Sequence, residues 1–380
     1  MCNNTTVNPE PIIEPDNEVG DDRDSLLGTD YASSSESLRS SILSYRQENG
    51  RTYHRYKDGS KATFAIDLID RVLIQRLEYN MPNDDLECER LGTFQPPSKG
   101  IMRKRSLKPD LQHNLFILTL GDRLGLAPPN DPDSKVKRVL DVGTGTGIWA
   151  IDFGDEHPEA QVIGVDLSPI QPSFVPPNVE FFVDDIEESW SFSEPFDYVH
   201  SRMMTFSIKS WPEYIHNIYN NLAPGGYVEL LEVDLYSKSD DGTLKEHHEL
   251  SRLVRLLDEA SIKIGRKFQD NKKNKDILRD AGFVEIVETT FKWPSGPWPR
   301  EKKYKELGKW NNTNMDAFEG LESLVMAAFT RVLGWSREEV IVHLAMVRKE
   351  ISDKKIHAYW SIYSTYGRRP LEPKDKAEGE

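Results

Sequence analysis

Cysteine is nearly absent from this chain: Cys2 and Cys88 are the only two in 380 residues. Two thiols exclude a disulfide framework and fit a reducing compartment, and neither stands in a metal or redox spacing. No apolar run approaches the roughly 20 residues needed to span a bilayer, so no membrane contact is expected. The first residues, MCNNTTVNPEPIIEPDNEVGDD, lack the basic start and apolar centre of a secretory leader, which points to a protein that stays in the cytoplasm. Positive charge is also in deficit, with 48 Lys and Arg against 63 Asp and Glu and a net charge of −15. That balance opposes attraction to a phosphate backbone and argues against direct nucleic-acid binding. One local exception is the basic run Lys99 to Lys108, readable as a solvated loop or as a nuclear-import patch.

What the chain does have is a glycine-rich turn between a strand and a helix. Val139, Leu140 and Val142 make the continuous apolar run of a strand covered on both faces, and Gly143, Thr144, Gly145 and Gly147 follow at once. The helix opened at Ile148 offers unpaired N–H groups to a ligand. A dinucleotide fingerprint needs G-x-G-x-x-G, but here the glycines fall as G-x-G-x-G and Ile148 takes the sixth place. That spacing weakens a nicotinamide oxidoreductase reading. Asp141 in the lead-in strand suits a cofactor bearing an amine. Asp166 closes the next apolar strand 19 residues after Gly147 and suits both hydroxyls of a ribose. A third strand, Val179 to Val183, leads to Asp184, Asp185 and Ile186, where a carboxylate and an apolar side chain suit an adenine.

These residues resemble the class I S-adenosylmethionine-dependent methyltransferases, and further words narrow the likeness to the fungal LaeA-like methyltransferases. Among them are Glu48 to His54, Tyr56 to Gly59, Leu111 to His113, the run VLDVGTGTGIWAID from Val139 to Asp152, Asp166 to Pro172, Phe196 to His200, Leu222 to Tyr227 and the late segment Tyr363 to Pro370. The resemblance implies S-adenosyl-L-methionine as cofactor, held by Asp141, Gly143, Thr144, Gly145, Gly147, Asp166, Leu167, Asp184, Asp185, Ile186 and His200. It also implies an amino-terminal arm folded over the cofactor, in which Arg51 pairs with the cofactor's carboxylate and Tyr53 hydrogen-bonds to it; the same residues read equally as an amphipathic arm packed on the sheet edge. Two segments, 60–81 and 92–109, interrupt the family pattern and read equally as genuine elaborations or as retained introns.

The expected fold is α/β: a doubly wound, mainly parallel, seven-stranded sheet with helical lid elements. Strands are predicted near 138–142, 161–165, 179–183, 196–200, 226–233 and 284–290, with a last, antiparallel one over 357–363 that the family likeness implies. Residues 1–37 read as a disordered acidic tail, 38–113 as an arm or lid, 114–370 as the methyltransferase domain and 371–380 as a loose tail. Short and long helices are predicted over 36–47 and 244–264, and a helical lid over about 291–355 that holds Trp293, Trp298, Trp310 and Trp335 mainly as core.

Catalysis is less legible than binding. A sulfonium methyl is already activated, so a methyltransferase can work by positioning alone, and a base is required only for a proton-bearing acceptor. His200, at the end of the fourth strand, is the candidate base, and a pocket-shaping histidine is the favoured reading of it. Arg202 reads as a surface ion pair or as a guide for an acidic acceptor, and His54 and His113 as packing or capping residues. His247 and His248 are placed on a helix, where neighbours diverge by about 100°, so no shared metal is expected. Two functions remain: a methyltransferase acting on a small secondary metabolite, or a nuclear regulator working through protein partners.

Overall fold

A strand covered by helices on both faces has no solvent side, and Arg138–Val142 shows this: after Arg138 every residue is buried. The computed structural model, which describes residues 6–8, 11–16, 46–48, 51–53, 111–316 and 320–371, places that strand inside an eight-stranded sheet. In chain order the described strands are β1 (Thr6–Asn8), β2 (Arg46–Glu48), β3 (Arg51–Tyr53), β4 (Arg138–Val142), β5 (Gln161–Asp166), β6 (Val179–Val183), β7 (Phe196–Arg202), β8 (Leu222–Val233), β9 (Val284–Pro294) and β10 (Tyr359–Arg368). The sheet order is β1-β9-β10-β8-β7-β4-β5-β6. Strands β4 to β8 are parallel and β10 runs antiparallel to both of its neighbours, as expected.

The chain leaves β4 in one direction, through β5 to β6, and then returns to the other side of β4 to form β7. A doubly wound sheet opens a crevice at such a reversal, beyond the carboxyl ends of the strands, and this fixes where a ligand can sit. Helices α1 (Leu111–Thr119) and α2 (Ile148–Glu156) pack on the face that buries Val139, Trp149, Phe153 and Tyr198. On the opposite face lie α3 (Trp211–Asn221) and α5 (Asn274–Asp280). Helix α3 shows why: Trp211, Tyr214, Ile215 and Ile218 fall at i, i+3, i+4 and i+7 and are all buried, while Pro212 starts the helix without losing a bond.

Helix α4 (Glu249–Lys263) begins later than the predicted Leu244. Asp241 explains the delay, because its Oδ1 accepts from the backbone N–H and the hydroxyl of Thr243 and holds a turn there. His248 is therefore the residue that caps the helix, and its Nδ1 accepts from the Lys245 N–H at 2.7 Å, so the placement of His247 and His248 on a helix is corrected. The segment predicted as a lid contains α6 (Lys302–Asp316), α7 (Gly320–Ala327) and α8 (Arg337–Ile351), with a π-helical turn over Ala328–Val332. A capping box of Ser336 and Glu339 starts α8. Residues 291–294 belong to β9 rather than to the lid, and Trp293 is a sheet residue in the core.

Two amino-terminal findings differ from the expected disordered tail. Thr6–Asn8 pairs in parallel with β9 and adds an eighth strand to the sheet edge. Farther on, Ile13 is buried with Trp298 and Tyr359, the Asp16 N–H donates to the Trp298 carbonyl at 2.7 Å, and the Arg300 N–H donates to the Glu14 carbonyl at 2.7 Å. Arg46–Glu48 is a strand where a helix was predicted; it pairs antiparallel with Arg51–Tyr53 in a separate two-stranded sheet. The rest of that helix, His54, both insertions and the basic run lie outside the described residues. Deleting residues 1–16 removes an edge strand and a buried isoleucine, the latter worth about 2 to 5 kcal/mol if cut to alanine. At about 2 to 4 °C per kcal/mol, scanning calorimetry should show a fall of several degrees in Tm. Cofactor affinity should be unchanged, because β1 and β4 are separated by four strands.

Candidate functional site

The turn after β4 is tight enough that all three glycines have left-handed φ values: 67° at Gly143, 56° at Gly145 and 80° at Gly147. Their reasons differ. A Cβ on Gly143 would lie 2.4 Å from Sδ of Met204, and one on Gly147 would lie 2.3 Å from Cζ of Phe181. The rigid Phe181 ring makes packing alone demand glycine at 147, whereas at 143 the flexible Met204 thioether can move aside and the left-handed φ is the stronger demand. A Cβ on Gly145 would meet nothing within 4 Å, so this is the glycine that leaves the backbone open to an approaching molecule. Gly147→Ala should cost both strain and a clash with the Phe181 ring and lower Tm markedly. Gly145→Ala should cost only about 1 to 2 kcal/mol of backbone strain while weakening cofactor binding. Thermal melts set beside calorimetric titrations separate the two, and equal losses of both quantities in both variants would refute the assignment.

Asp166, half-buried at the end of β5, faces this turn. Its Oδ2 accepts from the Gly145 N–H at 2.9 Å and its Oδ1 from the Ser168 N–H at 3.0 Å, so each oxygen keeps capacity for another donor. Burial raises its pKa above the ordinary aspartate value, against the pull of these backbone donors. Gln171 secures the same turn from the far side, donating to the carbonyls of Gly145 at 2.6 Å and Ser168 at 2.9 Å. The sequence word Asp166 to Pro172 is thus one device that holds the glycine turn against β5. Leu167 lies between the two capped positions and is half-buried.

Asp141, predicted to serve the amine of the cofactor, is tied to two neighbouring side chains. It is 3% exposed, its Oδ1 lies 2.7 Å from Nδ1 of His200, and its Oδ2 accepts from the Thr144 hydroxyl at 2.6 Å. The two strands put Asp141 and His200 side by side in register. His200 is 1% exposed and lies flat on Trp149, with ring centroids 3.7 Å apart and 3° between planes. Its Nε2 has no hydrogen-bond partner. Two residues farther along the same strand, Arg202 stacks over Phe116 at 4.9 Å and bonds to Nδ1 of His113 at 3.4 Å. His113 Nε2 in turn meets Asp152 at 3.1 Å, and burial lowers the histidine's pKa. These contacts show what the words from Leu111 to His113 and from Val139 to Asp152 do: they tie α1, α2 and β7 together beside the turn.

The third acidic position, Asp184 and Asp185, follows the end of β6, which pairs with β5. The Asp184 N–H donates to the Asp166 carbonyl at 3.1 Å, while Oδ1 of Asp185 accepts from the Glu187 N–H at 3.0 Å and shapes the turn that presents Ile186. Arg51 and Tyr53 have a described backbone in β3 only, and the contacts proposed for them lie outside what is described. Among the described residues no group of three or more His, Cys, Asp or Glu is placed to hold a metal, and no helix is long and apolar enough to cross a membrane.

Residues 111–288 match the family model described as "Methyltransferase domain". Methyltransferase pytC of Aspergillus terreus is 39% identical over 359 residues, covering 94% of this chain and 98% of that protein. The probable methyltransferase tdiE of Emericella nidulans is 35% identical, covering 75% and 88%. The secondary metabolism regulator LAE1 of Cochliobolus heterostrophus is 34% identical, covering 85% of this chain and 94% of its own length.

Proposed function

The chain belongs to the fungal LaeA-like methyltransferase family, and from that premise we propose that it carries the methyl group of S-adenosylmethionine to a small secondary metabolite. The carrying observation is the open backbone at Gly145 set directly against the Asp166 carboxylate, at the reversal of strand order. These residues fit a nucleoside with an amino-acid tail. Asp166 would accept from the ribose hydroxyls, Asp185 and Ile186 would receive the adenine, and Arg202 would pair with the carboxylate. Asp141, already committed to His200 and Thr144, would fix the floor beneath the amine end. When bound, the cofactor supplies an electrophilic sulfonium methyl, whose transfer breaks the carbon–sulfur bond with its electron pair left on sulfur. The chain's own task is then to hold both reactants in line, and no described residue is required to move a proton.

The regulatory reading, in which partner proteins receive the protein's action, draws its sequence support from the basic run Lys99 to Lys108. That run lies outside the described residues, and small-metabolite methylation is the reading we retain. Calorimetry should show binding of S-adenosylmethionine and S-adenosylhomocysteine and none of NADH. Incubating the protein with fungal metabolite extracts and labelled cofactor should then mark a small molecule. Tight NADH binding with neither sulfur nucleoside bound would overturn the proposal.

A further inference from the structure

Beyond the cofactor side of the crevice, the segments that follow β7 and β8 carry side chains with no part in the function described so far. Met203 has φ of 60°, a left-handed conformation that costs a non-glycine residue about 1 to 2 kcal/mol. The surrounding bonds impose it. Glu232, fully buried on β8, accepts from the N–H of Met204 at 2.9 Å, the N–H of Thr205 at 3.0 Å and the Thr205 hydroxyl at 2.7 Å. The chain is thereby turned sharply at the strand end, where Met203 and Phe206 come to rest partly buried on the large core.

Phe206 meets Phe268 edge to face, with centroids 4.7 Å apart and 84° between planes, and Tyr236 approaches Phe268 at 6.4 Å and 74°. Tyr236 is 42% exposed. Three aromatic rings, contributed after β7, after β8 and after α4, thus meet around Phe268 at the carboxyl end of the sheet. Arg266 holds the last of these segments: buried, it pairs with Oε2 of Glu187 at 2.7 Å and donates to the Ser207 carbonyl. Oε1 of Glu187 accepts from the Lys209 N–H at 2.6 Å. Glu187 follows Ile186, so the loop expected to receive adenine is fastened to the segment bearing the aromatic pair.

We propose, resting on the methyltransferase reading above, that Phe206, Tyr236 and Phe268 line the methyl-acceptor site and that its substrates are flat aromatic molecules. Two charged side chains beside this wall are committed to protein partners: Arg266 pairs with Glu187, and Glu232 accepts from three donors. Neither of these two buried groups is left to pair with an ionic acceptor. Aromatic faces and edges, by contrast, favour another ring in offset or edge-to-face contact beyond what area alone provides.

The test uses the full chain saturated with S-adenosylhomocysteine and titrates it with 2-naphthol, and separately with decahydro-2-naphthol, which has the same skeleton without the rings' π-faces. The aromatic probe should bind about tenfold more tightly. Phe206→Ala and Tyr236→Ala should each remove most of that preference while leaving the S-adenosylhomocysteine Kd within about twofold, a margin of under half a kcal/mol. Tyr236 is exposed enough that its replacement will not unfold the protein. Equal affinity for the two probes, tighter binding of the saturated one, or an unchanged preference in both variants would overturn the aromatic site. Absence of S-adenosylhomocysteine binding would instead overturn the function on which it rests.

Discussion

Replacing Asp166 with alanine should weaken binding of S-adenosylmethionine and S-adenosylhomocysteine by tenfold or more, with a measurable loss of stability alongside. The carboxylate has two duties. It caps the N–H groups of Gly145 and Ser168 at 2.9 and 3.0 Å, and its remaining lone pairs are proposed to accept from a ribose diol. Hydrogen bonds to a charged group contribute about 1.5 to 3 kcal/mol each, so losing even one ligand bond gives the tenfold change. Asp166→Asn refines the experiment, because it turns one acceptor into a donor that must face a backbone N–H. It should therefore harm the turn nearly as much as alanine does.

The pH dependence of this site has two opposed signs. Burial raises the Asp166 pKa, so between the ordinary aspartate value and the raised one the folded state binds more protons than the unfolded state. Stability from this group thus falls as pH rises through that window. Cofactor affinity should do the reverse, since the diol needs the ionised acceptor, and it should fall as pH drops through the raised pKa. Titrations from the ordinary aspartate range upward read this directly, and an affinity that is flat throughout in the wild type would contradict the role of Asp166.

Much of this arrangement could be read from the chain because its signals are local. The strand from Arg138 to Val142, the glycines after it and the acids at 166 and 184–185 each lie within a few residues of the element that displays them. The antiparallel last strand followed from the family likeness. What escaped detection depends on distant partners. Glu229 is fully buried and accepts from the N–H groups of Leu126 and Ala127, from Tyr198 and from Ser364, residues 31 to 135 positions away. Glu232 and the Glu187–Arg266 pair have the same character, and in sequence each is an ordinary acid or base on a mostly acidic chain. The amino-terminal strand Thr6–Asn8 is too short and polar to announce itself; only pairing with β9 defines it. The glycine turn was recognised, but the separate reasons for Gly143, Gly145 and Gly147 required Met204 and Phe181 to be seen in place.

The largest effect is expected at His200. As a general base it should permit His200→Asn to keep cofactor affinity while turnover falls by about 10² to 10⁴-fold. The structure argues for the other role. With 1% exposure, its ring flat on Trp149 and Nδ1 held by Asp141 at 2.7 Å, the imidazole is a strut beneath the turn rather than a group open to an acceptor. Nε2 is buried and has no hydrogen-bond partner among the described residues. His200→Leu should then leave the Asp141 carboxylate buried without its main partner, a change that costs about 3 to 5 kcal/mol when a buried pair is broken. Chemical denaturation should register that loss, and the cofactor Kd should rise with it because Asp141 also anchors Thr144 in the glycine turn at 2.6 Å. His200→Asn, which can still present an amide donor to Asp141, should recover part of both. If turnover instead collapses in His200→Asn while stability and cofactor affinity stay at wild-type levels, the strut argument fails and His200 is the catalytic base.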